Sequence, residues 1–252
     1  MRVAILVFPG SNCDRDMMVA VETITGRRPA LVWHKDSQMD PVDLIIIPGG
    51  FSFGDYLRCG ALAARAPVVE AMLDHASRGG AVLGVCNGFQ ILLETGLLPG
   101  TLIRNERLKF VCRSVNLQLQ PDHGSPLLST LDPGHSLTIP IAHNEGNYFA
   151  QEDDLEMLKQ NGQIAFKYTA SPAFGPDNPN GATDDIAGIL SANGRVLGMM
   201  PHPERAMGNG HPSSDGKLLL RAFLQGVACA HIVGFTVTKA NKGAFNCTAL
   251  RV

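Results

Sequence analysis

Short apolar runs alternate with longer segments of mixed polarity in the first third of the chain. Four of these runs are predicted to be buried strands, at about residues 3–8, 30–34, 43–47 and 81–85. The segments between them are long enough for crossover helices, including one over residues 68–78. Because parallel neighbours in a sheet need such crossover connections, this order predicts a parallel sheet covered by helices.

The pattern changes after Thr101, where β-rich stretches follow one another. Apolar residues alternate with mostly polar ones from Val111 to Leu119, as expected of a strand with one buried face. Further strands are predicted at residues 136–141, 164–168, 186–190 and 196–200. We expect this half to add antiparallel strands, with a loop over residues 171–185 and a last helix over residues 215–224.

The length of the chain limits its domain organisation. With 252 residues it suits one α/β domain, and a second catalytic domain of ordinary size would not fit beside it. We therefore predict a single-domain, doubly wound, mostly parallel sheet with added antiparallel strands. We assign residues 1–227 to this domain and residues 228–252 to a C-terminal tail of unknown role.

A cysteine lies between a predicted strand and a predicted helix, flanked by glycines. Gly84 and Gly88 stand two residues on either side of Cys86, which is the spacing of a nucleophile elbow. The first turn of a helix and a nearby imidazolium both stabilise a thiolate. Cys86 is therefore a candidate nucleophile, although most single cysteines after a buried strand are simply core residues.

Two further residues could complete a catalytic triad. His202 and Glu204 follow the apolar run that ends at Met200, and prolines at positions 201 and 203 keep this stretch extended. Side chains at positions i and i+2 of an extended chain project to the same face. A carboxylate beside a histidine can orient the ring and stabilise its imidazolium form. Taken alone, His-Pro-Glu is more typical of a turn.

A glycine pair after the third predicted strand could supply part of an oxyanion hole. In this architecture one N–H comes from the residue after the nucleophile, here Asn87. The other comes from a strand-to-helix loop, here Gly50 or Phe51. Without the cysteine motif, this loop would be interpreted as an ordinary turn.

The two long motifs around Cys86 and His202 resemble class I, triad-type glutamine amidotransferases. Four other segments narrow the resemblance to the glutaminase subunit family of phosphoribosylformylglycinamidine synthase. They begin at Phe8, Pro48, Leu108 and Ile141, and read FPGSNCD, PGGFSFGDYLR, LKFVCR and IAHNEGNY.

This resemblance implies a reaction and roles for individual residues. Cys86 would attack the side-chain amide of glutamine, His202 would pass a proton to the departing ammonia, and Glu204 would orient His202. Asn87 and the Gly50–Phe51 loop would donate to the oxyanion, and Gln90 would lie where the wider class contacts glutamine. Ammonia would then pass to a separate ATP-dependent synthetase subunit that makes formylglycinamidine ribonucleotide in purine biosynthesis.

Partners and cofactors are implied in the same way. The resemblance implies glutamine, the synthetase subunit and a small third subunit as partners, with ATP and Mg²⁺ bound by the synthetase. The residues themselves contain no Gly-x-x-x-x-Gly-Lys-Ser/Thr loop and no Cys/His grouping with zinc spacing. We therefore expect no cofactor and no metal in this chain.

Composition excludes several other classes. A formal net charge of −2 gives no sign of nucleic-acid binding, and the first apolar run is too short for a signal peptide or a membrane span. Six cysteines without paired spacing fit a reducing cytoplasm. We expect a cytoplasmic enzyme that binds neither nucleic acid nor membrane.

Two features keep alternatives open. Asn144 replaces a glycine that is usual in the resembling family, which leaves the role of His143 undecided. The basic residues Arg104, Arg107, Lys109 and Arg113 form either a solvated face or a docking surface for the synthetase subunit. The whole chain could also be a cysteine hydrolase of the same fold, or a non-catalytic module that binds an anionic ligand in its glycine loops.

Overall fold

The computed structural model describes residues 1–170 and 178–232. In these ranges the chain forms eleven strands and five α-helices, joined by loops and short 3₁₀ turns. The strands are β1 (Val3–Val7), β2 (Ala30–Trp33), β3 (Leu44–Ile47), β4 (Ala81–Val85), β5 (Thr101–Ile103), β6 (Val111–Leu119), β7 (Ser136–His143), β8 (Asn147–Phe149), β9 (Ile164–Thr169), β10 (Ile186–Leu190) and β11 (Val196–Met199). The helices are α1 (Asp14–Thr25), α2 (Pro67–Ser77), α3 (Asn87–Glu94), α4 (Glu152–Gln160) and α5 (Asp215–Ile232).

Nine strands form one sheet in the order β2-β1-β3-β4-β11-β10-β9-β6-β7. The first five strands in this order are parallel to their neighbours. The remaining neighbours, from β11 to β7, pair antiparallel. The predicted fold class, a mostly parallel α/β sheet with added antiparallel strands, is therefore confirmed.

One strand of the second half lies in the parallel half of the sheet. The run at residues 196–200 was expected among the antiparallel strands, but β11 pairs parallel with β4, with Gly198 opposite Gly84. Its other neighbour, β10, is antiparallel. Apolar periodicity shows that a strand is buried but carries no information on which neighbour it pairs with.

Burial differs between the two halves of the sheet. Every residue of β3 and β4 is buried, as expected for parallel strands with both faces covered. In β7 buried residues alternate with more exposed ones, so only one face of this strand packs on the core. The sheet thus places its best-protected backbone beneath the loops that follow β3 and β4.

Several loops meet at the carboxyl edge of the parallel strands. Here β1 leads to Cys13, β3 to Gly49, β4 to Cys86 and β11 to His202. The strand order reverses between β1 and β3, and crevices at such reversals are the usual ligand sites of open α/β sheets.

Some elements differ from the sequence predictions. The last helix continues past residue 224 to Ile232, so residues 228–232, which we assigned to the tail, are helical. The small sheet of β5 and β8 was not predicted. Part of the predicted 171–185 loop, residues 171–177, and residues 233–252 of the tail lie outside the described residues. None of the described helices is long and apolar enough to cross a membrane.

Candidate active site

Cys86 occupies a strained turn between β4 and α3. Its backbone has φ 51° and ψ −105°, a conformation that non-glycine residues rarely adopt. Its N–H donates to the carbonyl of Met199 at 2.8 Å, which fastens the turn to β11. Backbone strain of this kind persists only where the surrounding structure enforces it, and it is typical of nucleophile elbows.

The two flanking glycines are required by packing. A Cβ atom on Gly84 would lie 2.7 Å from the carbonyl oxygen of Gly88. A Cβ atom on Gly88 would overlap the carbonyl oxygen of Ile47 at the end of β3. These glycines therefore let α3 begin directly against the sheet, as their spacing indicated.

His202 and Glu204 form a buried pair beyond β11. Nδ1 of His202 and Oε1 of Glu204 are 2.6 Å apart, and both side chains are almost completely buried. The His202 N–H donates to the carbonyl of Pro140 at 2.8 Å. The bond to Glu204 holds the ring with its Nε2 atom turned away from the carboxylate, and Nε2 has no hydrogen-bond partner within the described residues.

The charges around His202 favour its imidazolium form. Burial by itself would lower the pKa of His202, but the carboxylate of Glu204 and the thiolate charge of Cys86 together raise that pKa well above its usual value. Electrostatics therefore favour a protonated His202 in this site. Sequence spacing predicted the pairing of His202 with Glu204, and the fold brings Cys86 near them.

The cysteine at the end of the first loop belongs to the candidate site and was missed by the sequence analysis. The Cys13 sulfur, which is buried, lies 3.8 Å from Nδ1 of His202 and accepts a hydrogen bond from Nη2 of Arg205 at 3.1 Å. Gly49 packs against it, since a Cβ there would be 3.1 Å from the sulfur. The signal in the sequence was the position of Cys13 in the loop that follows the first predicted strand, which is comparable to the place of Cys86 between a strand and a helix.

Cys13 also forms a compact donor group with the histidine and its carboxylate. One ligand atom from each of Cys13, His202 and Glu204 lies within 4.8 Å of the others, so the atoms could approach a cation. The Arg205 guanidinium on the sulfur and the bond between His202 and Glu204 would both compete with such an ion. These contacts suit an orienting role for the group better than a metal site.

Asn87 connects the elbow to the loop after β3. Its Oδ1 accepts the N–H of Ser52 at 3.1 Å, and its Nδ2 donates to Oε1 of Gln90 at 2.9 Å and to Oδ1 of Asp55 at 3.3 Å. Burial raises the pKa of Asp55, and the charge of Glu145 adds to this rise. The side chain of Asn87 is thus structural, while its backbone N–H lies in the first turn of α3.

Gln90 is buried and bonded at both ends of its carboxamide. Its Nε2 donates to the carbonyl of Glu145 at 2.8 Å, and its Oε1 accepts from Asn87. The expected place of Gln90 beside the substrate stays a prediction. Its contacts here fix the segment around Glu145 against α3.

The two candidate donors in the loop after β3 differ in their hydrogen bonding. The N–H of Phe51 donates to the carbonyl of Gly10 at 3.0 Å, and its side chain is exposed. Gly50 has φ 156°, and a Cβ there would lie 2.7 Å from the Cα of Ser11. The bond to Gly10 occupies the Phe51 donor and leaves Gly50 as the better candidate.

The end of β7 also borders Cys86. The Cys86 sulfur lies 3.7 Å from the carbonyl oxygen of Ala142, and the next residue, His143, is buried. Asn144 has a negative φ, so the turn does not need a glycine there, and its carbonyl accepts the N–H of Asn105. The backbone conformation at position 144 therefore does not require the glycine of the family pattern.

The comparisons with known proteins agree with this arrangement. Residues 1–216 match the model of the CobB/CobQ-like glutamine amidotransferase domain. The chain is 55% identical over 223 residues to phosphoribosylformylglycinamidine synthase subunit PurQ of Ruegeria pomeroyi, covering 88% of this chain and 96% of the relative. It is 51% identical over 225 residues to the same subunit of Brucella suis, covering 89% and 98%. The chain belongs to this glutamine amidotransferase family.

Solved structures of the family confirm the fold. The chain superposes on a chain of the PurLQS structure from Thermotoga maritima with a TM-score of 0.78 and 39% identity, covering 89% of this chain and 97% of that one. A second glutamine amidotransferase from the same organism has a TM-score of 0.58 at 13% identity and supports the fold alone. Membership of the family separates this chain from the cysteine hydrolases and the non-catalytic module considered above.

Proposed function

We propose that this chain is the glutaminase subunit of a phosphoribosylformylglycinamidine synthase. It hydrolyses the side-chain amide of glutamine and delivers ammonia to a separate ATP-dependent synthetase subunit. That subunit converts formylglycinamide ribonucleotide to formylglycinamidine ribonucleotide in purine biosynthesis. The observation that carries the proposal is Cys86 in its strained turn, next to the buried His202–Glu204 pair.

In the first step the Cys86 thiolate attacks the side-chain carbonyl carbon of glutamine. A carbon–sulfur bond forms, and the carbonyl electron pair moves onto oxygen. When the tetrahedral intermediate collapses, the carbon–nitrogen bond breaks and the imidazolium of His202 gives its proton to the leaving nitrogen. Ammonia departs, and a γ-glutamyl thioester remains on Cys86.

The oxyanion of this intermediate requires donors at the start of α3 and in the loop after β3. The backbone N–H of Asn87 supplies the first, at the positive end of the helix. The N–H of Gly50 supplies the second, since that of Phe51 is bonded to Gly10. Each such donor contributes about a hundredfold or more in rate.

The second step releases glutamate. His202, now neutral, takes a proton from water, and the water oxygen attacks the thioester carbon. The carbon–sulfur bond breaks and restores the Cys86 thiolate and the imidazolium. Glu204 keeps the same hydrogen bond to Nδ1 throughout, which holds Nε2 toward the reacting atoms.

The remaining parts of the reaction belong to other chains. The T. maritima structure is a PurLQS assembly, and we propose a synthetase subunit and a small third subunit as the partners of this chain. ATP and Mg²⁺ would be bound by the synthetase, and this chain would need no cofactor. We place the complex in the cytoplasm, where reduced thiols are maintained.

Labelling with a glutamine-mimicking diazo-ketone tests the assignment. Wild-type protein, with its synthetase partner present, should acquire one adduct on Cys86, detected by peptide-mapped mass spectrometry. Excess glutamine should suppress this adduct, and Cys86→Ala should abolish it. Cys112→Ser is the matched control because Cys112 is exposed on β6, and this variant should label like wild type. An unlabelled Cys86 in the assembled complex would contradict the proposed function.

A further inference from the structure

His143 is bonded through one ring nitrogen only. Its Nδ1 lies 3.0 Å from Oδ1 of Asn105, whereas Nε2 is buried without a hydrogen-bond partner in the described part of the chain. The side chain is 3% exposed, so bulk water does not satisfy this atom. Buried polar atoms are nearly always paired, and an exception calls for an explanation.

Asn105 determines which nitrogen of His143 carries the proton. Its Nδ2 donates to the carbonyls of Lys109 and His143, at 2.8 and 2.9 Å, which identifies the other end of the carboxamide as oxygen. That oxygen accepts the N–H of Gly146 at 3.1 Å as well as the bond from His143. Nδ1 must therefore be the donor, and Nε2 of the neutral ring presents a lone pair.

The ring stays neutral in the pH range where the enzyme would work. Burial and repulsion from the charge on His202 lower the pKa of His143 to about 3. A charge on one ring disfavours a charge on the other, which places His143 within electrostatic reach of the catalytic histidine. Nε2 is thus a fixed hydrogen-bond acceptor at neutral pH.

His143 belongs to a segment that borders Cys86 and α3. The preceding carbonyl, of Ala142, lies 3.7 Å from the Cys86 sulfur. The backbone carbonyl of Glu145, two residues after His143, accepts a hydrogen bond from Gln90 of α3. Gly146 packs on the face of the ring, because a Cβ there would overlap it, so the ring cannot turn freely.

We propose that Nε2 of His143 accepts a hydrogen bond from the side-chain amide nitrogen of glutamine, and that this contact selects the amide over groups without N–H. The inference rests on the proposed function and names a residue that recognises the leaving nitrogen of that reaction. The carboxylate of the product glutamate offers no N–H and would face the lone pair of Nε2. The same contact therefore favours release of glutamate.

A comparison of glutamine with the γ-methyl ester of glutamate distinguishes recognition of the amide N–H from a purely structural role of His143. Both contain a carbonyl that Cys86 can attack, but the ester has no N–H on its leaving group. The test measures kcat/KM for each compound with the full chain assembled with its synthetase partner. Sites built to bind a substrate N–H discriminate strongly against analogues that lack it.

Two variants separate the loss of the Nε2 acceptor from the loss of the hydrogen bond to Asn105. His143→Asn retains a carboxamide at the position of Nδ1, able to bond Asn105, but nothing reaches the position of Nε2. His143→Gln places a carboxamide oxygen near the position of Nε2. We expect His143→Asn to lower kcat/KM for glutamine about tenfold or more and to change that for the ester less than about threefold. We expect His143→Gln to retain most of the wild-type preference for the amide.

The outcomes are distinguishable. Equal losses of kcat/KM for amide and ester in His143→Asn, or wild-type values for both, would overturn the role of His143. A wild-type complex that hydrolyses neither compound would instead contradict the proposed function. Thermal unfolding of both variants shows whether they are folded, and a His143→Gln variant that is folded but has lost the amide preference would also count against the inference.

Discussion

The carboxylate of Glu204 controls the charge state of His202, to which we assign the proton transfer. It is buried, bonds Nδ1 of His202 at 2.6 Å and is the main charge that raises the pKa of that ring. One of its oxygens, Oε2, has no partner among the described residues. His202 is therefore the main side-chain partner of the Glu204 carboxylate in the described part of the chain.

Replacing Glu204 with Gln should shift the pH profile of glutaminase activity. Without the carboxylate charge the pKa of His202 falls, so the imidazolium is lost at lower pH. The alkaline limb of the pH–rate profile therefore moves to lower pH. We also expect kcat/KM to fall about 10²- to 10⁴-fold, because the ring loses its orientation and its charge stabilisation. The measurement is a pH–rate profile of the complex. Glu152→Gln, at an exposed position, is the control and should leave the alkaline limb in place. An unmoved limb in Glu204→Gln would show that the Glu204 carboxylate does not raise the pKa of His202.

Cys13 should act through His202 without reacting itself. Its sulfur lies between the Arg205 guanidinium and Nδ1 of the ring. Cys13→Val removes these polar contacts at similar volume, and we expect about tenfold lower kcat because small displacements of a catalytic group are costly. Cys13→Ser keeps a small polar atom there and should lose less. Labelling of Cys86 by the diazo-ketone should persist in both variants, and its complete loss in Cys13→Ser would show that Cys13 has a different role.

At the scale of elements, the site depends on how closely α3 approaches β3. Gly88 lies against the carbonyl of Ile47, and the Asn87 side chain bonds the following loop at Ser52. The helix therefore fixes Cys86, the proposed nucleophile, and the loop after β3 together. A displacement of its first turn changes both at once.

Gly88→Ala tests this dependence. The added methyl group overlaps the Ile47 carbonyl, which is backbone and cannot move aside alone, so we expect a destabilisation of about 1–3 kcal/mol. The diazo-ketone should also label Cys86 more slowly. Urea unfolding and labelling rates provide the two measurements. At Gly124 the nearest atom to an added Cβ is 3.5 Å away, so Gly124→Ala is the control. Wild-type behaviour of Gly88→Ala would show that the close approach is unimportant.

At the scale of the whole molecule, one exposed surface combines basic and apolar side chains next to the site. Arg104, Arg107 and Lys109 are exposed in the segment between β5 and β6, whereas Arg113 is half-buried on β6. Exposed apolar side chains lie in the same segment, at the end of β5 and in the loop after β3, namely Tyr56, Leu57, Ile103, Leu108 and Phe110. Apolar patches with a charged rim are typical of protein interfaces.

Charge reversal on this surface should weaken the synthase complex. Glu at positions 104, 107 and 109 should lower affinity for the synthetase subunit, most clearly at low salt, and leave Cys86 reactive. Titration by analytical ultracentrifugation, with diazo-ketone labelling in parallel, measures both effects. Arg27 and Arg28, exposed just after α1 and before β2, provide a matched double reversal. Unchanged affinity in the triple variant would assign these residues to a solvated face.

The sequence by itself determined the strand–turn–helix at Cys86, the His202–Glu204 pair and, apart from the place of β11, the change from a parallel to an antiparallel half. These depend on residues close together in the chain, where glycine sterics, proline geometry and side-chain period act locally. Tertiary structure alone decided that β11 joins the parallel strands, that Cys13 lies against His202, and that Asn105 fixes the tautomer of His143. Those contacts join residues separated by tens to nearly two hundred positions, and only the order of strands in the sheet brings them together.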